Sequence, residues 1–74
     1  MQDVIINREP VELYKVLKFE GLVSTGGEAK MVVAEGLVKV NGELEMRKRC
    51  KLKGGDVVEF NGESLRLVFG QHHD

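Results

Sequence analysis

The most informative part of the sequence is residues 23–42, VSTGGEAKMVVAEGLVKVNG. Thr25, followed three residues later by Glu28, matches a capping box, in which each side chain binds a free backbone N–H at a helix start. Gly26 and Gly27 then fall in the first turn of a predicted helix, where four N–H groups have no partner within the helix. The apolar face of this helix is predicted from residues at helical spacing: Ala29, Val32, Val33, Gly36 and Leu37.

Another helix is predicted upstream, in VELYKVLKFEG at residues 11–21. Pro10 suits its first position, because the missing N–H of proline would have no partner there, and Gly21 gives a natural end. The buried face is predicted from three aliphatic residues at helical spacing and two aromatic ones: Leu13, Val16 and Leu17, with Tyr14 and Phe19.

Downstream of Gly36 the apolar pattern changes to the period of two that is typical of strands. Asn41-Gly42 and Asn61-Gly62 are favoured two-residue hairpin turns, and residues 54–56 form a break between the two hairpins. The predicted strands are residues 37–40, 43–46, 57–60 and 64–69, the last with Leu65, Leu67 and Phe69 inward, and a short edge strand at residues 2–6.

Two helices packed on a small antiparallel sheet make an α+β fold. At 74 residues the chain has room for one domain, which we expect to cover residues 1–74. A short flexible tail is expected from about residue 70, with His72 and His73 as tail residues rather than metal ligands. The aromatic residues, Tyr14 and three Phe, are expected in the core.

The charges are unevenly distributed along a nearly neutral chain. The formal net charge is −1, from 11 Lys and Arg against 12 Asp and Glu. Residues 30–53 hold seven cations and three anions, whereas the other 50 residues hold four cations and nine anions. Because exposed charges are screened beyond about 8 Å at physiological salt, a ligand on one face responds to the local charge. The local excess favours an anionic partner for this part of the chain.

The densest group of cations is RKRCKLK, residues 47–53. In an extended segment, alternation would place four cations outward and the other side chains on the opposite face: Arg47, Arg49, Lys51 and Lys53 against Lys48, Cys50 and Leu52. Such a row suits a phosphate backbone, since each contact releases condensed counterions and a guanidinium binds phosphate with two N–H groups. The alternative is a solvated edge strand whose charges prevent strand-to-strand aggregation.

The glycine pair at the helix start is a second candidate anion site. Bare N–H groups and a partial positive charge favour a phosphate there, and Lys30 lies one turn further along the helix. The alternative is that Thr25 and Glu28 only cap the helix, while the glycines ease a tight turn between two helices.

From Leu13 to Phe60 the sequence resembles the alpha-L RNA-binding module, a family named after the fourth small-subunit ribosomal protein. The same module occurs in pseudouridine synthases and bacterial tyrosyl-tRNA synthetases. The resemblance rests on LYKVLKFEGL, STGGEAK, MVVAEG, LVKVNGE and GGDVVEF. Many members carry Ser-Arg just before the second helix, where this sequence has Thr25 and Gly26. In its short glycine turn and small size it is similar to the stand-alone bacterial members.

The residues and the resemblance together predict a cytoplasmic, non-enzymatic protein that binds structured RNA, with ribosomal or transfer RNA as candidates. Phosphate contacts would set affinity and RNA shape would set specificity. The predicted RNA-binding residues are Thr25, Gly26, Gly27, Lys30, Lys39, Asn41, Arg47, Lys48, Arg49, Lys51 and Lys53. The alternative is a protein–protein interaction module that has kept the fold and lost RNA binding.

No cofactor, metal site, membrane segment or catalytic group is predicted. Cys50 is the only cysteine, which excludes an internal disulfide and a zinc site of the CxxC kind. Its position in RKRCKLK predicts a small core residue rather than a reactive thiol. No apolar run approaches the roughly 18 residues of a membrane span.

Overall fold

The computed structural model describes residues 1–70 and contains two helices and seven strands. In chain order they are β1 (Gln2–Ile6), β2 (Val11–Glu12), α1 (Leu13–Phe19), α2 (Gly26–Ala34), β3 (Val38–Val40), β4 (Glu43–Leu44), β5 (Lys51–Leu52), β6 (Val57–Phe60) and β7 (Glu63–Phe69). The predicted tail beyond Gly70, with both histidines, lies outside the described residues.

The main sheet has five strands in the order β1-β7-β6-β3-β4. Its pairs are antiparallel except for β1 and β7, which are parallel with Val4 opposite Leu67. A parallel pair needs a long crossover connection, and here almost the whole domain separates the two strands in sequence. The predicted α+β fold with two helices is therefore confirmed, with a mostly antiparallel sheet and β1 at its edge.

Helix α1 begins at Leu13, so the prediction of Pro10 as its first residue is wrong. Residues 11–12 are extended instead, because β2 pairs with β5 in a separate two-stranded sheet. The first free N–H groups of the helix, those of Leu13 and Tyr14, donate to the carbonyl oxygens of Cys50 and Lys48 at 2.9 and 3.2 Å. Tertiary contacts thus fix a helix start that the local sequence signals place elsewhere.

The predicted buried face of α1 is confirmed for Leu13, Val16 and Leu17. The prediction that Phe19 is also buried is wrong, because its side chain remains 72% exposed at the last position of the helix. Gly21 ends the helix as predicted: its φ of +76° reverses the chain in the left-handed region that favours glycine.

Helix α2 begins at Gly26 as predicted, and Thr25 caps it. The backbone N–H of Glu28 donates to Thr25 Oγ1 at 3.0 Å, while the Glu28 carboxylate accepts from the N–H of Ser24 at 2.9 Å. The second half of the capping box therefore reaches one residue further back than predicted. The prediction that Leu37 lies on the buried face is wrong, because the chain turns at Gly36 and leaves Leu37 53% exposed.

Both hairpin turns are confirmed. Asn41 and Asn61 each have a φ of +54°, and the glycines after them have φ values of +84° and +81°. The strand predicted at residues 43–46 is shorter and stops at Leu44. Phe69 lies at the end of β7 and is 44% exposed, so its predicted inward position is wrong.

The core lies between the helices and one face of the main sheet. Its largest fully buried side chains come from the helices, the main sheet and β5. They are Leu13, Leu17 and Val33 from the helices, Val38, Val58, Leu65 and Leu67 from the main sheet, and Leu52 from β5. Within residues 1–70 no polar or charged residue is buried. Polar chemistry is therefore confined to the surface of the described chain.

Candidate nucleic-acid interface

The cationic segment 47–53 is a turn followed by a short strand. Lys48 and Arg49 form the turn, which is closed by the N–H of Cys50 donating to the carbonyl oxygen of Arg47 at 3.1 Å. Only Lys51 and Leu52 are in a strand. The predicted extended conformation, with its row of four outward cations, is wrong because α1 draws the backbone of this turn toward its first N–H groups. All five cations are nevertheless exposed.

Tyr14 is the residue that joins the two predicted anion sites. Its N–H holds the turn through the carbonyl oxygen of Lys48, and its ring lies under the ammonium of Lys30, 4.7 Å from the ring centroid. The ring edge also faces the first turn of α2, since a Cβ added at Gly26 would lie 3.9 Å from Tyr14 Cε2. We call Tyr14, Gly26, Lys30 and Lys48 the Tyr14 cluster.

Sequence reasoning assigned Tyr14 to the core and missed this linking role. The side chain is half-buried and packs against the core, so the assignment holds for part of the ring. A cation above an aromatic face is attracted by the ring quadrupole, which here keeps the Lys30 ammonium beside the start of α2. The other members of the cluster are 12, 16 and 34 residues away from Tyr14. No local sequence pattern relates such distant positions.

The two glycines leave the start of α2 uncovered. A Cβ added at Gly26 or at Gly27 would make only ordinary contacts, its nearest neighbours lying at 3.9 Å. Packing would therefore accept a side chain at either position. The consequence of glycine is that no side chain covers the N–H groups of Gly26 and Gly27, whereas the next N–H, that of Glu28, is already bound by Thr25.

Arg47 is held by an acidic neighbour. Its guanidinium donates to both carboxylate oxygens of Glu45, at 2.9 and 3.1 Å, and its backbone N–H donates to the same carboxylate at 3.0 Å. These bonds lower the pKa of Glu45 to about 2 and raise that of Arg47. An anionic ligand would therefore have to share the Arg47 fork with Glu45.

The other predicted contacts differ in how free their side chains are. Asn41 is engaged within the fold, because its Nδ2 donates to Asp56 Oδ1 at 3.0 Å and its Oδ1 accepts from the N–H of Val57 at 2.9 Å. Arg49 has its Nε 3.8 Å from Glu12 Oε2, a longer and weaker ion pair. The contact roles of these residues, and of exposed Lys39, Lys51 and Lys53, stay predictions.

Cys50 is half-buried and packs against the core. Burial raises the pKa of its thiol, and the carboxylate of Glu45 adds to the shift. The thiol is thus kept protonated, which is the opposite of what a reactive cysteine needs. Neither a group of three or more potential metal ligands nor a helix long and apolar enough to cross a membrane occurs in residues 1–70.

The fold and the sequence define the class of protein. The family model of the S4 domain matches residues 4–68 of the chain. This range contains both helices, the glycine turn between them and both Asn-Gly hairpin turns. The chain belongs to the S4 domain family, and the resemblance to the alpha-L module is confirmed.

Three relatives locate the chain within that family. YbcJ of Escherichia coli (strain K12) is 50% identical over 58 residues, which cover 78% of this chain and 83% of YbcJ. The solution structure of YbcJ has a TM-score of 0.71 and 45% identity over 92% of this chain and 87% of that one, and is described as revealing an alpha-L motif involved in RNA binding. RlbA of Bacillus subtilis (strain 168), named as a probable ribosome maturation protein, is 39% identical over 59 residues, 80% of this chain and 83% of RlbA.

A ribosomal protein shares the same fold. The crystal structure of the 30S ribosomal protein S4e from Thermoplasma acidophilum has a TM-score of 0.67 and 34% identity over 81% of this chain. The match spans 32% of the S4e chain, so it concerns one module of a larger protein.

Proposed function

We propose that this protein binds structured RNA, with the Tyr14 cluster at the centre of the interface. The observation that carries the proposal is that Tyr14 contacts the Lys30 ammonium, the backbone of Lys48 in the cationic turn and the bare start of α2. Membership of the S4 domain family and the alpha-L motif of YbcJ support RNA as the ligand. The predicted contacts Thr25, Gly27, Arg49, Lys51 and Lys53 would surround this centre, with Lys39, Asn41 and Arg47 further out.

The chemistry of the interface favours contacts to phosphate over contacts to bases. Ammonium groups, guanidinium groups and free backbone N–H groups all bind phosphate oxygens without regard to sequence. One face of the only tyrosine is already occupied by Lys30, which argues against stacking of bases as the main mode of binding. Specificity would then come from the shape of the RNA, so that several phosphates reach the cluster and the turn together.

Ribosomal RNA is the RNA class that we propose first. RlbA is named for ribosome maturation, and the S4e protein belongs to the 30S subunit. The proposal includes a non-enzymatic role in the cytoplasm. It rests on relatives described by RNA binding rather than by catalysis, and on a single cysteine whose thiol is kept protonated.

The experiment is fluorescence anisotropy with labelled ribosomal RNA fragments across a series of salt concentrations. For several phosphate contacts, the logarithm of the binding constant should fall with the logarithm of salt concentration by roughly 0.7 to 0.9 per contact. The double variant Lys30→Ala, Lys48→Ala should lower affinity and reduce the slope by about two contacts. The matched control is Arg8→Ala, Lys18→Ala, which removes the same charge outside the predicted RNA-binding residues.

The competing function is protein–protein interaction without RNA. Its support is that nine of the twelve acidic residues lie outside residues 30–53 and would repel RNA. An interface of that kind would show little response to salt. Failure of the folded wild-type protein to bind RNA at low salt would reject the proposal, and an equal loss of affinity in both double variants would reject the cluster as its centre.

A further inference from the structure

A groove of about 880 Å³ runs between the edge strand β1 and helix α1, apart from the Tyr14 cluster. Val4, Ile5 and Ile6 of β1 form one wall, and Arg8 and Pro10 of the connection that follows β1 also line the groove. Its volume lies in the range of roughly 300 to 1,000 Å³ that is usual for binding sites. We call it the β1–α1 groove.

The α1 wall of the groove is a continuous helical face. It consists of residues 15, 16 and 19 of α1 together with residues 12 and 20, which flank the helix, and their spacing follows one side of it. The adjoining side of α1 packs in the core, where Leu13 and Leu17 are fully buried. Phe19, at 72% exposure, is the largest apolar side chain on the groove face. Three of the five residues are charged and Val16 is buried, so Phe19 is the apolar side chain of this face that the described chain leaves uncovered.

The β1 wall offers unpaired backbone groups. Among the strands of residues 1–70, β1 is the first in the sheet order, so only one of its edges is paired with a described strand. The carbonyl oxygen of Ile6 accepts from the N–H of Gly70 on the β7 side. Because the N–H and C=O of one residue point the same way and alternate along a strand, those of Asp3 and Ile5 point to the open edge.

This edge lacks the usual protection against pairing with another chain. Edge strands are commonly very short or carry lysine or proline. The opposite edge strand, β4, is only two residues long and includes Glu43. β1 has five residues, and its one charged side chain, Asp3, is bound by Arg66 at 3.1 and 3.2 Å. Ile5 is 72% exposed on it.

The charges around the groove indicate the character of an occupant. Its lining residues include three cations, Arg8, Lys15 and Lys51, and two carboxylates, Glu12 and Glu20. Glu12 lies 3.2 Å from the Lys15 ammonium and 3.8 Å from Arg49, so the protein's own cations already compensate it. The remaining excess is positive and favours an occupant with acidic groups.

We propose that the β1–α1 groove binds an extended, acidic segment of a partner protein, which adds as a strand to the open edge of β1. Addition of a strand satisfies the outward N–H and C=O groups of Asp3 and Ile5, and pockets beside the edge select alternate side chains. Apolar residues of the segment would lie against Phe19, and acidic residues would meet Arg8 and Lys51. RNA is the less suitable occupant, because it has no backbone groups that can continue a sheet.

The test uses the full chain and a library of random peptides displayed on phage. The sequence that is enriched is synthesised, labelled and titrated with the protein by fluorescence anisotropy. The expected sequence alternates apolar residues and contains Asp or Glu. Phe19→Ala, which removes an exposed ring, should weaken binding by about tenfold or more.

Two backbone changes test the strand pairing itself. Ile5→Pro removes the outward N–H at an edge position where proline is tolerated, and should weaken binding by about tenfold. Ile5→Val keeps that N–H and should leave the affinity nearly unchanged. If circular dichroism shows that Ile5→Pro is unfolded, N-methylation of alternate peptide bonds in the synthetic peptide tests the same hydrogen bonds. RNA binding should stay unchanged in Phe19→Ala, which separates this proposal from the proposed function.

Several results would overturn the proposal. One is the absence of any enriched peptide, and another is an enriched peptide that binds Phe19→Ala as tightly as wild type. A concentration-dependent dimer in analytical ultracentrifugation that Phe19→Ala dissociates would assign the groove to a second copy of this chain. Protection of the amides of residues 3–5 from hydrogen exchange by RNA would assign it to RNA.

Discussion

At the scale of single residues, Glu45 controls how much of the charge of Arg47 a ligand can use. The carboxylate accepts from the two guanidinium N–H groups of Arg47 that could otherwise bind a phosphate. Glu45→Gln removes this competition, so we expect RNA affinity to rise and the salt slope to steepen by about one contact, roughly 0.7 to 0.9. Anisotropy titrations over a salt series measure both. Glu43→Gln is the matched control, since it removes the same charge two residues earlier; an equal gain in both variants would contradict a specific role for Glu45.

The same ion pair makes the stability of the fold depend on pH in a defined window. The pKa of Glu45 is about 2 in the folded protein against an ordinary value of 4.5. Between these values the unfolded chain binds more protons, so this contribution to the free energy of unfolding is complete above pH 4.5 and is lost as pH falls toward 2. We expect the stability difference between wild type and Glu45→Gln to shrink over that window in urea titrations monitored by circular dichroism. A difference that stays constant with pH would show that the ion pair adds nothing.

At the scale of elements, the two Asn-Gly hairpins have the same backbone conformation and different side-chain contacts. Asn41 and Asn61 share a φ of +54°, but Asn41 also bonds Asp56 and the N–H of Val57. Glycine accepts a positive φ at either position, so Asn41→Gly removes only the side-chain bonds and should lower the free energy of unfolding by about 1 to 2 kcal/mol. Asn61→Gly should change the free energy of unfolding by only about a few tenths of a kcal/mol. Chemical denaturation of both variants measures the difference, and equal effects would show that the two Asn41 bonds carry no net stability.

The sequence predicts elements whose signals are local. The Thr25 cap, the Gly21 helix end and the two hairpin turns each follow from residues within a few positions of one another, and all are present. The start of α1 and the turn at residues 47–50 are set by each other, through hydrogen bonds between residues more than thirty positions apart. For that reason alternation alone gives the wrong conformation for RKRCKLK. For the same reason the sequence does not reveal the linking role of Tyr14, whose contacts with Lys30 and Lys48 exist only in the folded chain.

At the scale of the whole molecule, the chain combines a thin core with two proposed binding surfaces. Glu12 links two of these sides, because it lines the β1–α1 groove and also lies near Arg49 of the cationic turn. A domain of this size buries only about 60% of the surface of its unfolded chain, so its stability rests on few side chains. Binding of any ligand to the folded state should therefore have a visible effect on stability.

Leu17 provides the test of this dependence. It is fully buried between the helices and the sheet, and Leu17→Ala should cost about 2 to 5 kcal/mol, close to the roughly 3 to 5 kcal/mol that a single small core supplies. We expect much of the variant to be unfolded at 25 °C by circular dichroism, whereas Leu37→Ala, at a 53% exposed position, should remain folded. RNA at about a hundred times its Kd should restore roughly 2.7 kcal/mol and refold a large part of the Leu17→Ala population. Refolding that fails in Leu17→Ala, although wild type binds the same RNA, would mean that the unfolded chain binds RNA as well and that the folded surface is not what the RNA recognises.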